Sequence, residues 1–238
     1  MAEEKLNLLA DFPAISTKVW KEKIVTDLKG ADFEKKLVWR TPEGFNVQPF
    51  YRREDLKGLK TTTSAPGQFP YVRGTKTHNE WAIRQNICAG TNARKANAKA
   101  LDVLNKGITS LGFRLDKEKL NYRFIKNLLN GIQADAITLN FQVCACAAPE
   151  LASILVRYYG RMGYNLKNMK GSINVDPIRN MLLKGKLLSR EQVSAKIAAV
   201  VKAAKSLPGY RVVGVNSVIL SNAGAYCAQE LAYALAWG

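Results

Sequence analysis

The stretch Ala136-Ile-Thr-Leu-Asn-Phe-Gln-Val143, followed by a helical pattern and then by Gly171-Ser-Ile-Asn-Val-Asp176, decides the fold of this chain. Both runs are short and contain the apolar and β-branched residues that are typical of strands. Between them, Pro149 suits the first turn of a helix that we expect to continue to about Met162. A strand, a helix and a second strand within about 40 residues predict a parallel pair joined by a helical crossover.

The same alternation continues on both sides of this unit. A capping-box pattern at Ser189-Arg-Glu-Gln192 predicts the start of another helix. Four strand–helix units are visible, and they predict an α/β fold of parallel (β/α) units. Because a closed barrel needs eight such units, we expect an open four-stranded domain or about the first half of a TIM-type barrel. The remaining predicted elements are strands at 107–113 and 211–217 and helices over about 92–105, 121–130 and 223–236.

Residues 1–70 are predicted to form an extended N-terminal arm, and residues 71–238 the partial barrel. Ser16 suits the N-cap of a helix near 17–29. Short apolar segments follow, broken by prolines and a glycine, and the turn-rich run Ala65–Pro70 marks the boundary. Since these segments are too short to bury an apolar face alone, we expect the arm to lie along another surface, in this chain or in a partner subunit.

The charge of the chain is high and unevenly distributed. The net charge is +17; residues 1–60 hold 12 basic and 10 acidic side chains, and residues 61–238 hold 24 and 9. Such an excess suits nucleic acid, an anionic surface or a phosphorylated ligand. The charges are dispersed and accompany no nucleic-acid-binding motif. A solvated basic surface is therefore the simpler interpretation, and a basic nucleic-acid-binding α/β protein remains an alternative.

The four cysteines, Cys88, Cys144, Cys146 and Cys227, do not follow the spacing of a zinc site or a disulfide framework. No metal site is predicted. Cys144 and Cys146 are expected to be unbridged thiols on one face of a buried strand. The sequence also lacks a signal-peptide pattern and an apolar run long enough to cross a membrane. These features together predict a cytoplasmic protein without membrane contact.

Several motifs, in a fixed order, give the sequence a specific likeness. With them the chain resembles the methylmalonyl-CoA mutase family from about residue 8 to its end, and it is most similar to the small (beta) subunits of the heterodimeric bacterial enzymes. The motifs are Phe69-Pro-Tyr-Val-Arg-Gly74, Trp81-Ala-Ile-Arg-Gln85, Gly171-Ser-Ile-Asn-Val-Asp-Pro177 and Asn222-Ala-Gly-Ala225.

The resemblance implies a (β/α)8 barrel threaded by the pantetheine chain of an acyl-CoA, and a separate domain that holds adenosylcobalamin. It also implies a radical rearrangement between methylmalonyl-CoA and succinyl-CoA, in which the cofactor carries the difficult chemistry. We expect this chain to be truncated, with about half of the barrel and without the cobalamin domain. The implied partner is the catalytic large subunit, in a heterodimer.

By the same resemblance, four residues are candidates for contact with an acyl-CoA: Arg84, Thr109, Ser172 and Lys184. Three of them also have a structural interpretation. Arg84 can pair with a neighbouring carboxylate, Thr109 suits a strand, and Lys184 can be a solvated loop lysine. Lysine at position 184 would keep the charge of the family's arginine but lose its bidentate geometry.

Two positions depart from the catalytic members of the family. Asn86 stands where they carry an active-site tyrosine, and Ile219 stands where a histidine donates a hydrogen bond to the thioester carbonyl. Isoleucine cannot donate, so that polarisation would be lost. His78 is the only histidine and has no metal-ligand spacing to other residues. We therefore expect a non-catalytic structural subunit that is inactive alone, with an independently active acyl-CoA isomerase as the alternative.

Overall fold

The computed structural model describes residues 10–59, 61–90 and 92–238. The chain divides into two compact units, one up to Asn79 and one from Glu80 to Gly238. None of the helices in these described ranges combines the length and the apolar character needed to span a lipid bilayer.

The N-terminal unit contains short elements only. Ser16 accepts a hydrogen bond from the Val19 N–H at 3.3 Å, which confirms the predicted N-cap. The helix that it caps ends three residues before Gly30. The elements are α1 (Thr17–Asp27), α2 (Phe33–Leu37), and the antiparallel two-residue strands β1 (Trp39–Arg40) and β2 (Asn46–Val47), followed by a 3₁₀ turn at Arg53–Leu56.

This unit has almost no buried side chain among its described residues. Only Val38 and Thr41 are buried there. Trp39 is 63% exposed and Phe45 is 59% exposed. These aromatic side chains of the arm are therefore exposed, and the contact of the arm with another surface stays a prediction.

The C-terminal unit is built on a five-stranded parallel sheet whose strands lie side by side in chain order. Helices alternate with the strands, which confirms the α/β class; the sequential parallel order is consistent with a partial TIM-type barrel. The strands are β3 (Arg84–Gly90), β4 (Ser110–Leu115), β5 (Thr138–Gln142), β6 (Gly171–Val175) and β7 (Tyr210–Val213). The helices are α3 (Ala93–Asn105), α4 (Tyr122–Leu128), α5 (Ala148–Arg161), α6 (Pro177–Lys184), α7 (Arg190–Ala203), α8 (Val218–Asn222) and α9 (Cys227–Trp237).

The prediction of four strands was wrong by one, because β3 was missed. This strand lies at an edge of the sheet, and only Ile87 and Ala89 of its seven residues are buried. Its first three residues, Arg84–Asn86, are all polar, and the remaining four include a single large apolar residue, Ile87, so the segment lacks the apolar run that marked the central strands. Helix α6 was missed as well, although Asp176 followed by Pro177 carries its start signal: the Asp176 carboxylate accepts from the Arg179 N–H at 2.9 Å.

The two faces of the sheet differ in chemistry because successive strand residues point to opposite sides. Leu111, Phe113, Leu139 and Phe141 belong to one buried apolar cluster with residues of α3, α4 and α5. The rings of Phe113 and Phe141 stack at 5.9 Å between centroids. The alternate residues of the same strands form the opposite, inner face; they are Ser110, Gly112 and Arg114 on β4 and Thr138, Asn140 and Gln142 on β5.

Three tyrosines anchor α5 against the rest of the unit. Tyr159 and Tyr210 share a hydrogen bond of 2.7 Å between their hydroxyl oxygens, and the Tyr158 hydroxyl donates to the Leu129 carbonyl at 3.2 Å. Burial raises the pKa of Tyr158 to about 12. Burial also raises the pKa of Tyr159 and of Tyr210 well above the usual range. All three side chains therefore stay neutral in the folded chain where an unfolded tyrosine would already ionise.

Raising the pH above about 10 is expected to unfold the C-terminal unit, because unfolded tyrosines ionise near that pH. Because the pKa of each buried tyrosine is higher in the folded chain than in the unfolded chain, its contribution to the free energy of unfolding is complete below pH ~10. That contribution is lost as the pH rises toward the folded-state pKa. In an alkaline titration, a late phase of tyrosinate absorbance should coincide with the loss of the helical circular dichroism signal.

Tyr159→Phe should reduce the amplitude of that late phase. Tyr233→Phe, at a position 60% exposed on α9, should leave it unchanged. If all the tyrosines ionise before the helical signal changes, the burial described above is wrong.

Candidate functional site

A cleft of about 1010 Å³ lies at the carboxyl ends of the five parallel strands, and residues in or directly after every strand line it. This end of a parallel (β/α) sheet is where ligands bind in barrel enzymes, because the loops after the strands converge there. The position of the cleft therefore follows from the topology.

The inner face of the sheet carries a chain of hydrogen-bonded polar side chains, which we call the polar ladder: Ser110, Thr138, Asn140, Ser172 and Asn174. Thr138 donates to Ser110 at 2.6 Å, and the Asn140 amide donates to the Ser110 hydroxyl at 3.0 Å and to the Leu111 carbonyl at 3.1 Å. Ser172 donates to the Asn140 carbonyl oxygen at 2.7 Å, and Asn174 donates to Ser172 at 3.1 Å. Three of these residues are buried: Ser110, Asn140 and Ser172.

A packed barrel interior is filled by layers of bulky branched residues. Here the corresponding positions of adjacent strands are Gly112 and Asn140, and Asn140 is in turn paired with Ser172. These small polar side chains are bonded to one another, and among them Asn174 lines the cleft. The inner face is therefore suited to a polar chain rather than to an apolar core.

Arg84 and Asn86 lie over Gly112 on the neighbouring strand. The Arg84 Nε–H donates to the Asn86 side-chain oxygen at 3.0 Å. A Cβ at position 112 would overlap that oxygen and would lie 2.8 Å from Arg84 Nη2, so the pair must move if this position carries a side chain. Burial lowers the pKa of Arg84, but an arginine side chain remains cationic in proteins.

The cleft brings together two of the four candidate residues, Arg84 and Lys184. Ser172 adjoins it through Asn174, which lines the cleft. Thr109 does not line it: this residue precedes β4, and its hydroxyl accepts from the Ile83 N–H at 2.9 Å. The roles of these four residues toward a ligand stay predictions.

The cleft is strongly cationic, a property that sequence reasoning missed because the basic residues come from distant segments. Asp176 is the one carboxylate among the residues that line it, and its oxygens accept from the N–H groups of Arg179 at 2.9 Å and Asn216 at 2.8 Å. It ties β6 to the loop after β7. The cations that line the cleft are Arg84, Arg114, Arg179, Lys184, Lys186 and Lys196.

The cysteine prediction was wrong. Cys144 and Cys146 form a disulfide and are exposed. Strand β5 ends at Gln142, so both residues lie in the following loop, where the Ala147 N–H bonds to the Cys144 carbonyl at 2.9 Å and closes a turn. This turn, rather than an extended strand, sets the separation of the two side chains. Both cysteines and Cys88 line the cleft.

Comparisons with known proteins all point to one family. The sequence profile described as "Methylmalonyl-CoA mutase" matches residues 40–120 and 121–238. The chain is 50% identical, over all 238 residues, to a methylmalonyl-CoA mutase small subunit of Porphyromonas gingivalis, of which it covers 38%. It is 27% identical, over 85% of its length, to a methylmalonyl-CoA mutase of Rhizobium meliloti, of which it covers 32%.

A large subunit is similar as well. The chain is 25% identical, over 95% of its length, to a methylmalonyl-CoA mutase large subunit of Streptomyces virginiae, of which it covers 34%. The chain thus spans little more than a third of the length of the curated relatives that it matches.

Gly112→Ala is expected to destabilise the C-terminal unit by about 0.5–1.5 kcal/mol, because the new methyl group must displace the exposed pair of Arg84 and Asn86 and break the hydrogen bond between them. Urea unfolding followed by circular dichroism would measure the change in the free energy of unfolding.

Gly160→Ala is the matched control, since position 160 lies inside helix α5 and nothing stands within 4 Å of its Cβ site. It should be neutral or stabilising by up to about 1 kcal/mol. Equal destabilisation by both substitutions would show that the close approach at Gly112 does not matter.

Proposed function

This chain belongs to the methylmalonyl-CoA mutase family, and on that premise we propose that it acts as a small-subunit-type, non-catalytic component in the interconversion of methylmalonyl-CoA and succinyl-CoA. Its partner is a catalytic large subunit, since its relatives are named as small and large subunits of this enzyme. No feature of the described residues or of these relatives favours binding of nucleic acid.

The polar inner face of the sheet is the observation that carries the proposal. An acyl-CoA joins an amide-containing pantetheine arm to phosphates, and the two parts need different surroundings. Asn174, the one member of the polar ladder that lines the cleft, presents an amide that suits the arm, and the six cations at the carboxyl ends of the strands suit an anionic group. An apolar molecule would gain little from either.

We propose ligand contacts for the four candidate residues, of which Arg84 and Lys184 line the cleft and Ser172 and Thr109 do not. Arg84 offers guanidinium N–H groups, and only its Nε–H is used by Asn86. Lys184, at the end of α6, supplies a point charge to the same cleft. Ser172 and Thr109 offer hydroxyl groups, although the oxygen of each already accepts a hydrogen bond.

Two side chains argue against catalysis by this chain alone. The Asn86 oxygen is engaged by Arg84, and an amide at this position has no phenol group to offer. Ile219 lies in α8 and has no donor for a thioester carbonyl, so the electrostatic help that such a donor supplies is missing. The chain can bind and orient a thioester but has no group here to polarise it.

Adenosylcobalamin, which supplies the radical in this family's reaction, does not fit the residues present. No imidazole lines the cleft, and the only histidine of the sequence, His78, belongs to the N-terminal unit. Within the described ranges, no three His, Cys, Asp or Glu side chains converge as metal ligands. We therefore derive no step through the cofactor from these residues.

The N-terminal unit is proposed to contact the large subunit. Its exposed aromatic residues, among them Trp20, Trp39 and Phe45, are of the types enriched in the buried centres of interfaces. We propose a cytoplasmic location, where the acyl-CoA substrates and the partner would be present.

Mixing the chain with a methylmalonyl-CoA mutase large subunit and adenosylcobalamin should give a complex on size-exclusion chromatography and succinyl-CoA formation above that of the large subunit alone. The chain with the cofactor but without the large subunit should show no turnover. Isomerase activity of the chain by itself would overturn the non-catalytic assignment, and failure to form any complex would overturn the assigned partner.

Binding of methylmalonyl-CoA, measured by calorimetry, should weaken about 5- to 30-fold in Arg84→Ala and in Lys184→Ala, as expected for the loss of one charge-assisted hydrogen bond. Lys99→Ala, on the exposed face of α3, is the control and should bind as the unmodified chain does. Equal affinity in all three variants would show that Arg84 and Lys184 of the cleft do not contact methylmalonyl-CoA.

A further inference from the structure

The disulfide between Cys144 and Cys146 stands at an unusual place for a structural bridge. It links residues two positions apart in an exposed turn, so it closes a very small loop and constrains little of the unfolded chain. Both cysteines line the cleft at the carboxyl end of the central strand, β5. A bridge that is accessible and adds little stability is better suited to reaction than to support.

Two features near the bridge, a helix N-terminus and a cation, are of the kind found beside reactive cysteines. Cys146 stands two residues before Ala148, the first residue of the 14-residue helix α5, and the N-terminal end of a helix stabilises negative charge. Arg114 is paired across the sheet with Gln142, two residues before Cys144, and it lines the same cleft. Helix N-termini and neighbouring cations are the two features that lower the pKa of reactive cysteines.

The charge of the cleft also selects the reaction partner. Six cations line it, and Asp176, its one lining carboxylate, has its oxygens engaged by backbone N–H groups. A small molecule that carries both a thiol and a negative charge would be concentrated there, whereas a cationic thiol would be repelled.

We propose that Cys144 and Cys146 form a thiol–disulfide exchange site for small anionic thiols. The inference goes beyond the proposed function and does not depend on it, because it rests on the bridge and the charges around it.

The reaction balances in two exchanges. The thiolate of the small molecule attacks Cys144 Sγ, the bond between the two cysteines breaks, and Cys146 leaves as the thiolate, which is the better leaving group beside the helix. A second thiolate then attacks the mixed disulfide, a small-molecule disulfide forms, and Cys144 leaves as its thiolate. Two small thiols are oxidised to one disulfide, and the protein gains two electrons and, on protonation, two protons.

The test compares three small thiols of different charge on the oxidised full chain: 2-mercaptoethanesulfonate, 2-mercaptoethanol and cysteamine, at matched thiolate concentration and low salt. Quenching with N-ethylmaleimide and intact-mass measurement follow the reaction, since each reduced chain gains two extra adducts. The anionic thiol should react about tenfold faster than the cationic one, and added salt should remove most of the difference. Equal rates, a reversed order, or a chain that never forms the bridge under a mild oxidant would overturn the proposal.

Variants at single positions test which cysteines take part in the exchange and which cation selects the thiol. Cys146→Ser should abolish the gain of two adducts, whereas Cys88→Ser and Cys227→Ser should retain it. Arg114→Gln should slow the anionic thiol about threefold or more and leave 2-mercaptoethanol unchanged. Arg123→Gln, an exposed position on α4 that does not line the cleft, should change neither rate. If Arg114→Gln slows both thiols equally, the cations do not select the partner.

Discussion

The hydrogen bonds of Asn140 are the interaction on which the inner face of this sheet depends. One amide side chain joins three neighbouring strands: it donates to Ser110 and to the Leu111 carbonyl on β4 and accepts from Ser172 on β6. Buried polar groups must be paired, because an unpaired one loses its water without compensation. Since the pairing is complete within the sheet itself, the inner face can stay polar without an apolar layer above it.

That polar face determines what the rest of the unit can do. The apolar side chains of the same strands all pack on the other side, against α3, α4 and α5, so the stability of the unit comes from the outer face. The inner face is then free to carry Arg84, Asn86 and the ladder. A glycine at position 112 keeps the space that the Arg84–Asn86 pair occupies. Because successive side chains of a strand point to opposite faces, one face of the sheet provides stability and the other carries the candidate ligand contacts.

The parallel topology brings charge to one end of this face. Every strand presents its carboxyl end at the same edge, so basic residues from β3, β4, α6 and α7 reach one cleft although they are dispersed along the chain. Part of the high net charge is therefore concentrated at this cleft. It provides one physical basis for two separate assignments, an acyl-CoA thioester in the proposed function and an anionic thiol at the cysteine pair.

The sequence by itself determined the local elements and the family. The capping box at Ser189 forms as predicted, with reciprocal bonds between Ser189 and Gln192, and the central strands carried enough apolar residues to be found, because these features depend on residues close in the chain. Only the tertiary structure decided that 84–90 is an edge strand, that the cations converge, and that Cys144 and Cys146 lie in a turn and are bridged. Each of these depends on partners brought together by the fold: β4 beside a weakly apolar segment, strand ends that share one edge, and a strand that ends before the cysteines. No pattern within a short window of sequence contains that information.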